Sequence, residues 1–420
     1  MTFVCGFDFG TSNTTLSVVH PTDGIRLIPL EGTHTTIPSA IFFGHDGTPP
    51  CFGRAALAAY TAREEGRFMR SFKRTLGTSL MSEGTMIGAQ RVHFDDIIGH
   101  FVRYIKHSAE NETGASLDHV VVGRPVHFVD GSDETDARAQ SQLEHIFRKS
   151  GFKDIRFQFE PIAAAFSHEV RLDAREHKAM VMDIGGGTSD FSVIKLSQRY
   201  IQKTDRSDDI LGNAGVRIGG NDFDRKLSLK EFMPLLGFGS KMATKNLDFP
   251  TSPFFDLSEW SKIQFMYTPK YKRQLLEFAR DALAAKKIDR LVRMVEHEQG
   301  HLLLGHVEAT KINLSSSDQT QVDLSFIETD LALTVTRESF ESAIYDECDK
   351  IRTYTQDCLH QADIKGSQID LVILTGGGTG IPLIQALAKE IFPNARISNE
   401  NMLSSVGEGL GYDARRLFVF

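Results

Sequence analysis

Apolar and polar positions alternate from the start of the chain. TFVCGFDFG at 2–10 predicts a strand, TTLSVV a second, and the turn HPTDG returns the chain into IRLIPL, so the opening is a β-hairpin and its neighbours. IPSAIFFG at 37–44 predicts a further strand. From about 55 to 114 the pattern predicts helix, most plainly in the amphipathic DDIIGHFVRYIKHSAE. The continuous apolar run in HVVVGRPV then predicts a buried parallel strand. A helix over 133–151, the strand DIRFQFE and the helix PIAAAFSHEV carry this first half to about residue 170.

At that point the pattern restarts. VMDIGGGTSDFSVIKL echoes VCGFDFGTSNTTLSVV, with Asp183 on Asp8, Gly185 on Gly10 and Thr188 on Asn13. Beyond it lie a long helical insertion over 222–315, strands near 322–336, a helix over 337–362, the strand IDLVILTGGG, the helix IPLIQALAKEIF and a last helix from 402. The echo predicts an α/β protein of two duplicated lobes. Lobe I spans 1–170 with a helical insertion at about 45–115, and lobe II spans 171–420 with one at 222–315.

Composition narrows the function classes. The formal net charge of −8 argues against a broad nucleic-acid surface, and basic clusters such as Lys270, Lys272 and Arg273 read as solvated helix faces. No leader pattern and no long apolar run is visible, so a cytoplasmic location without membrane insertion is expected. Four scattered cysteines without CxxC spacing predict reduced thiols.

The two hairpin turns are where strands break for small polar residues. Glycine lets backbone N–H groups approach an anion with no Cβ in the way, and phosphate is the expected anion. Thr11, Ser12 and Thr188 add hydroxyl donors. Asp8 and Asp183 end apolar strands, and a carboxylate beside bare phosphate would repel it, so the pairing implies Mg²⁺. A third glycine turn, LTGGGTGIP, contains Gly376, Gly377 and Gly378 and is suited to cover a nucleoside. Neither a P-loop nor a Rossmann GxGxxG is present. On EATKINLS, spacings of three and four put Glu308, Lys311 and Ser315 on one helical face.

These residues resemble the nucleotide-binding domain of the heat shock protein 70 (DnaK) family, in the actin and sugar-kinase superfamily. FDFGTSNTT is similar to its first phosphate motif, MDIGGGTSDFS to its second and IDLVILTGGGTGIP to its adenosine motif, with KRTLG, EPIAAA and GGNDFD between them. The resemblance implies an actin-like ATPase fold of two ribonuclease H-like cores about a deep interlobe nucleotide cleft. It implies ATP/ADP and Mg²⁺ as cofactors, slow hydrolysis, nucleotide-controlled lobe closure and a protein client or co-chaperone. The chain ends at Phe420, as in the short YegD-like subgroup, which implies no peptide-binding domain of its own.

Carried over residue by residue, the resemblance makes Asp8 and Asp183 magnesium-shell carboxylates. It sets Gly10, Thr11, Ser12 and Asn13 at the phosphates, with Gly185, Gly186 and Gly187 as further backbone donors. Lys73 would orient the attacking water, Glu160 would lie near the metal waters, Thr188 would be the catalytic-loop threonine and Asp190 a proton acceptor. Gly219, Gly220 and Asn221 come from GGNDFD, while Glu308, Lys311 and Ser315 would surround adenine and ribose. Three positions depart from the family. Ile312 and Gly380 stand where arginines sandwich adenine, losing roughly 0.5–2 kcal/mol each, and Asn401 replaces an aspartate on the ribose side. Pro125 matches the family's switch proline, with Arg138 as its coupled arginine.

Rival readings differ in what they require. An actin-fold small-molecule kinase needs a substrate pocket with a base, and a nucleotide-dependent scaffold or filament protein needs self-assembly. His297, Glu298 and His301 form an HExxH pattern, which on one helix would bind zinc for a hydrolase. The apolar tail RRLFVF reads either as a docking strand or as a packed terminal segment.

Overall fold

The computed structural model describes residues 2–20, 24–44, 48–62, 64–88, 90–129, 132–203, 205–399 and 403–418; Asn401 lies outside them. The chain forms two compact units, one of Met1–Gly219, Lys350–Gly380 and Ile384–Phe420, the other of Gly220–Asp349 and Ile381–Leu383.

The first unit contains two sheets built on one plan. In the first, β1 (Thr2–Phe9), β2 (Asn13–His20) and β3 (Gly24–Leu27) run antiparallel. On the other side of β1 come two parallel neighbours. A short β4 (Thr36–Pro38) pairs with the start of β2, and the parallel neighbours are β5 (Ser116–Arg124) and β6 (Asp154–Phe159). In the second sheet β7 (His177–Ile184), β8 (Ser189–Leu196) and β9 (Ile210–Val216) are antiparallel. Parallel to β7 lies β10 (Leu371–Thr375), followed by β11 (Arg396–Ser398). The repeated turn sequences thus sit in repeated topological positions.

Period-2 alternation decides what each strand face carries. On β1, Phe3, Cys5, Phe7 and Phe9 enter one apolar cluster with Phe101 and Phe147, from the helices Phe94–Thr113 and Asp133–Lys149. Val4 enters a different cluster, shared with Ile162 and Leu410 from the helices Glu160–Glu169 and Ser405–Phe418. Asp8 is in step with Val4, so it points to the second face. Ala179 and Val181 of β7 belong to that same second cluster, and Asp183 is in step with them. Both aspartates therefore face the helix whose first residue is Glu160.

That helix is buried along its whole length. It meets the terminal helix so closely that a Cβ on Gly409 would stand 1.6 Å from the Ala163 carbonyl oxygen, and β1 meets the same terminal helix, where a Cβ on Gly6 would stand 2.4 Å from Gly411 N. Leu417 and Phe418 pack on the same cluster, which is the packed-segment reading of the tail; residues 419–420 lie outside the described ones.

Three expectations from the pattern are corrected. The helix predicted over 55–114 is interrupted by the strand Gly66–Arg70, two 3₁₀ turns and the hairpin Gly84–Ile87 with Gln90–His93. Its Gly- and Thr-rich stretch LGTSLMSEGTMIG carries turn residues that outweigh the helical spacing around it. IPSAIFFG divides at Ser39, its two parts pairing into different sheets. In the second unit the HExxH pattern does not lie on one helix. Ala285–Glu296 ends before it, Glu298 takes a left-handed φ of 54°, and a new helix starts at Gly300. Glu298 pairs with Lys272 at 3.0 Å, while His301 is buried against the Trp260 ring. The two imidazoles thus lack the shared helical face that zinc binding by this motif requires.

The second unit is otherwise largely helical. Phe254, Ile263, Leu291, Val295 and Leu304 are buried in it, and Gln319–Asp323 pairs with Ala332–Thr336 as a hairpin.

Candidate functional site

The two hairpin turns of the first unit touch each other. A Cβ on Gly186 would stand 2.1 Å from Ser12 Oγ, and one on Gly187 would stand 3.0 Å from Thr11 Oγ1. A side chain added here would displace the Ser12 or Thr11 hydroxyl. Gly185 N–H donates to the Thr188 carbonyl at 2.9 Å and closes the second turn. Ser39 braces the first, its Oγ donating to Gly10 O at 2.7 Å and its N–H to Ser12 O at 2.9 Å. Gly10 itself abuts the Asn13 carbonyl.

Strand register then gathers the acidic groups. Asp183 is paired with Asp190 across the β7–β8 hairpin and with Thr375 of β10. Gly376 directly follows Thr375, and a Cβ there would lie 2.7 Å from Asp183 Oδ1. Gly378 packs on Ile184, so the third glycine turn lies against the end of the second hairpin's first strand. Gly377 opens the short 3₁₀ turn between them and the next helix. Gly219 seats its backbone on Gly187 N and Gly185 O, and Ser189 Oγ holds the preceding Ile218 carbonyl at 2.7 Å.

Lys73 and Glu160 form a buried ion pair, Nζ to Oε1 at 2.6 Å. Burial, then Glu160, push the Asp8 carboxyl up to about 7, with Lys73 opposing. Asp183 is raised well above the ordinary range by burial and by Glu160, Asp190 and Asp8. Burial and Glu160 push Asp190 up to about 8, against hydrogen bonds from Thr188 and from Val126 N–H at 2.7 Å. Four carboxyls, three buried and Asp8 half-buried, thus crowd one centre in which Lys73 is the one lysine among the described residues. Such a centre favours protons or an added cation.

The remaining predicted residues gather in the second unit. Gly220 and Asn221 start the helix Gly220–Leu227. Lys311, on the helix Gly300–Leu314, reaches back to them, its Nζ 2.8 Å from Asp224 Oδ1 and 3.3 Å from Gly220 O. Glu308 lies one turn earlier on that helix, and Ser315 ends it, its Oγ donating to Lys311 O at 3.3 Å. Ile312 is 60% exposed, and a Cβ on Gly380 would meet nothing within 4 Å. Among switch residues, Arg138 donates to Gly77 O at 2.8 Å, while Pro125 O accepts from Arg124 Nε at 3.0 Å.

Sequence reasoning missed Ser39, Asp224 and two arginines near the second turn, Arg74 and Arg217. Asp224 and Arg74 carried a signal, as the second acidic residue of GGNDFD and the arginine of KRTLG.

A family profile described as Hsp70 protein matches residues 80–234 and 270–409. The chain is similar to the chaperone protein DnaK of Thermosipho melanesiensis, 28% identical over 412 residues, which cover 96% of this chain and 58% of that protein. It is 27% identical to DnaK of Thermosipho africanus over 412 residues, and 26% to that of Thermotoga maritima over 414, at 96% coverage of this chain. It spans 57–58% of the length of these relatives.

Proposed function

The chain belongs to the Hsp70 family, whose fold is that of the actin-like ATPases, and from that premise we propose that it binds Mg-ATP and hydrolyses it slowly. The observation that carries the proposal is the convergence of Asp8, Glu160, Asp183, Asp190 and Lys73 beside two touching glycine turns. Chains named DnaK are chaperones by name, and we extend that role to a chaperone-like switch acting on a protein client or co-chaperone.

Asp8 and Asp183, in step on one face beside the glycine turns, offer a hard divalent cation two carboxylates and leave the rest of its shell to waters and phosphate. Asp8 and Asp183 would hold the magnesium or its waters, and the ion, when bound, supplies charge neutralisation between phosphates and carboxylates. The chain's own residues do the rest. The N–H groups of the glycine turns, with Thr11, Ser12 and Thr188, orient the phosphate chain. Lys73, fixed by Glu160, positions a water for attack on the terminal phosphorus. Asp190, paired with Asp183 across the hairpin and held by Val126 N–H, receives the proton of that water in its ionised form. In this reading Glu308, Lys311 and Ser315 contact the nucleoside, and nucleotide occupancy is read out as lobe closure.

A nucleotide panel with Mg²⁺ tests this, measuring affinity and turnover of the whole chain. Mg-dependent ATP binding with turnover of a few per minute or less supports the switch. Fast ADP production that depends on one metabolite would replace it with a kinase, and nucleotide-dependent sedimentation with a filament protein. Absence of any nucleotide binding would end the proposal.

A further inference from the structure

Away from the glycine turns, one short segment reaches two acidic groups of the centre. At the end of β5, a Cβ on Gly123 would stand 3.2 Å from Glu160 Cγ, so the strand end packs on the Glu160 stem. Three residues on, Val126 N–H donates to Asp190 Oδ1 at 2.7 Å. From the β9 side, a Cβ on Gly215 would stand 2.7 Å from that same oxygen and 3.2 Å from Val126 Cβ. Asp190 Oδ1 is therefore lodged between β9 and the segment after β5, and the position of Val126 decides where the carboxylate rests.

Residues 125–128 have left the sheet, so no strand ladder fixes them, and Pro125 has no N–H to offer. Arg124 supplies the missing bonds. Its Nε donates to the Pro125 carbonyl at 3.0 Å and its Nη2 to the Val126 carbonyl at 3.1 Å. The same guanidinium donates to Asp136 and Gln140, one turn apart on the helix Asp133–Lys149. It also lies over the rings of Phe128 and Phe159, 5.1 and 5.2 Å from their centroids. Asp136 Oδ1 closes the far end of the segment by accepting the Phe128 N–H. The Arg124 and Asp136 side chains are only 13% and 14% exposed. Arg138, the arginine that the resemblance couples to Pro125, donates to Gly77 O instead.

Resting on the Mg-ATP reading above, we propose that Arg124 is a positioning residue for hydrolysis: with Asp136 it clamps residues 124–128 and so holds Val126 N–H, and through it Asp190, where the attacking water is met. Arg124 acts through Asp190 and not on the nucleotide, so its loss slows the chemical step and leaves binding alone. A lysine replaces it only in part, since one ammonium cannot reproduce a planar fork that meets carbonyls and a carboxylate together.

The test uses the full chain, Arg124→Met, Arg124→Lys, Asp190→Asn and the double variant of Arg124→Met with Asp190→Asn. Hydrogen–deuterium exchange without nucleotide reads the clamp itself. In Arg124→Met, exchange in peptides covering 124–128 should quicken about tenfold or more, while peptides over 160–169 keep their protection. Single-turnover hydrolysis should slow about tenfold, with calorimetric affinities for Mg-ATP and Mg-ADP within about twofold of wild type. Arg124→Lys should fall between the two in both readouts. Beside Asp190→Asn, Arg124→Met should slow hydrolysis by less than a further twofold or so, because it acts through that carboxylate. Thermal melting reports folding, and if Arg124→Met does not fold, Arg124→Lys carries the same comparisons. Unchanged exchange over 124–128 in a folded variant would refute the clamp whatever the nucleotide data show. An unchanged rate, affinity lost in step with rate, or full additivity with Asp190→Asn would refute the positioning role. If the unaltered chain does not bind and hydrolyse Mg-ATP, the Mg-ATP reading has failed and the positioning role falls with it, which the exchange result tells apart from a failure of the clamp.

Discussion

The carboxylate-and-glycine centre of the first unit and the Glu308–Lys311–Ser315 helix of the second belong to one predicted site, yet they are built differently. In the first, Lys73, Glu160, Asp183 and Asp190 are buried together beside a half-buried Asp8, the first two glycine turns are braced, and a single added Cβ at Gly186 would collide with Ser12. In the second, Lys311 is held by Asp224 and Gly220, but Ile312 beside it is exposed. Rigid, desolvated groups act on a reacting centre with little reorganisation, whereas exposed ones contribute modest and adaptable affinity. On the proposed reading, the half that would carry chemistry is the more tightly built, and the half that would meet the base is the looser.

Breaking the first half should give the largest effect. Asp8→Asn and Thr188→Ala should each lower Mg-ATP turnover at least about tenfold with the fold intact, read by steady-state phosphate release. Unchanged turnover in both would leave the centre without a catalytic role. Lys73→Met comes next, since it strands Glu160 among like charges. A loss of about 3 kcal/mol is expected in urea unfolding, and Lys73→Met with Glu160→Gln should recover part of it.

A smaller effect sharpens the electrostatics. Asp8 and Asp190 titrate at about 7 and about 8 in the folded chain, against about 4 unfolded, so the folded state holds extra protons between those limits. Stability of the nucleotide-free protein from these groups is therefore full near pH 4 and is lost as pH rises through 7 and 8. His100 and His306, kept below their ordinary values by burial, give the opposite slope, so the measurement is a difference between proteins. Asp8→Asn should raise the urea midpoint over wild type at about pH 8.5 and much less at about pH 5. Equal shifts at both values would refute the crowding argument. The smallest effect concerns the base. ATP and GTP should bind within about threefold of each other, as expected with no arginine at 312 or 380, and a strong ATP preference would show that another residue reads adenine.

Much of the first half was legible because it depends on short-range rules. Alternation on TFVCGFDFG and VMDIGGG fixes which face each aspartate takes, and glycine marks where backbones approach. Lys73 illustrates the other kind of residue. On its own sequence it reads as a solvated helix charge, and only the family resemblance singled it out; the partner that buries it, Glu160, is 87 positions away. Ser39 and Arg217 depend on such long-range contacts and gave no local signal. The HExxH pattern failed for the complementary reason, since spacing on paper assumes a continuous helix and the left-handed Glu298 ends one.

The backbone contact between Ala163 and Gly409 has one more consequence. Where two helices are spaced by side chains, rotamers can drift and the spacing drifts with them. Here the Glu160 helix is indexed against main chain, so its depth is set by a hard stop. A methyl group at 409 is enough to shift that stop.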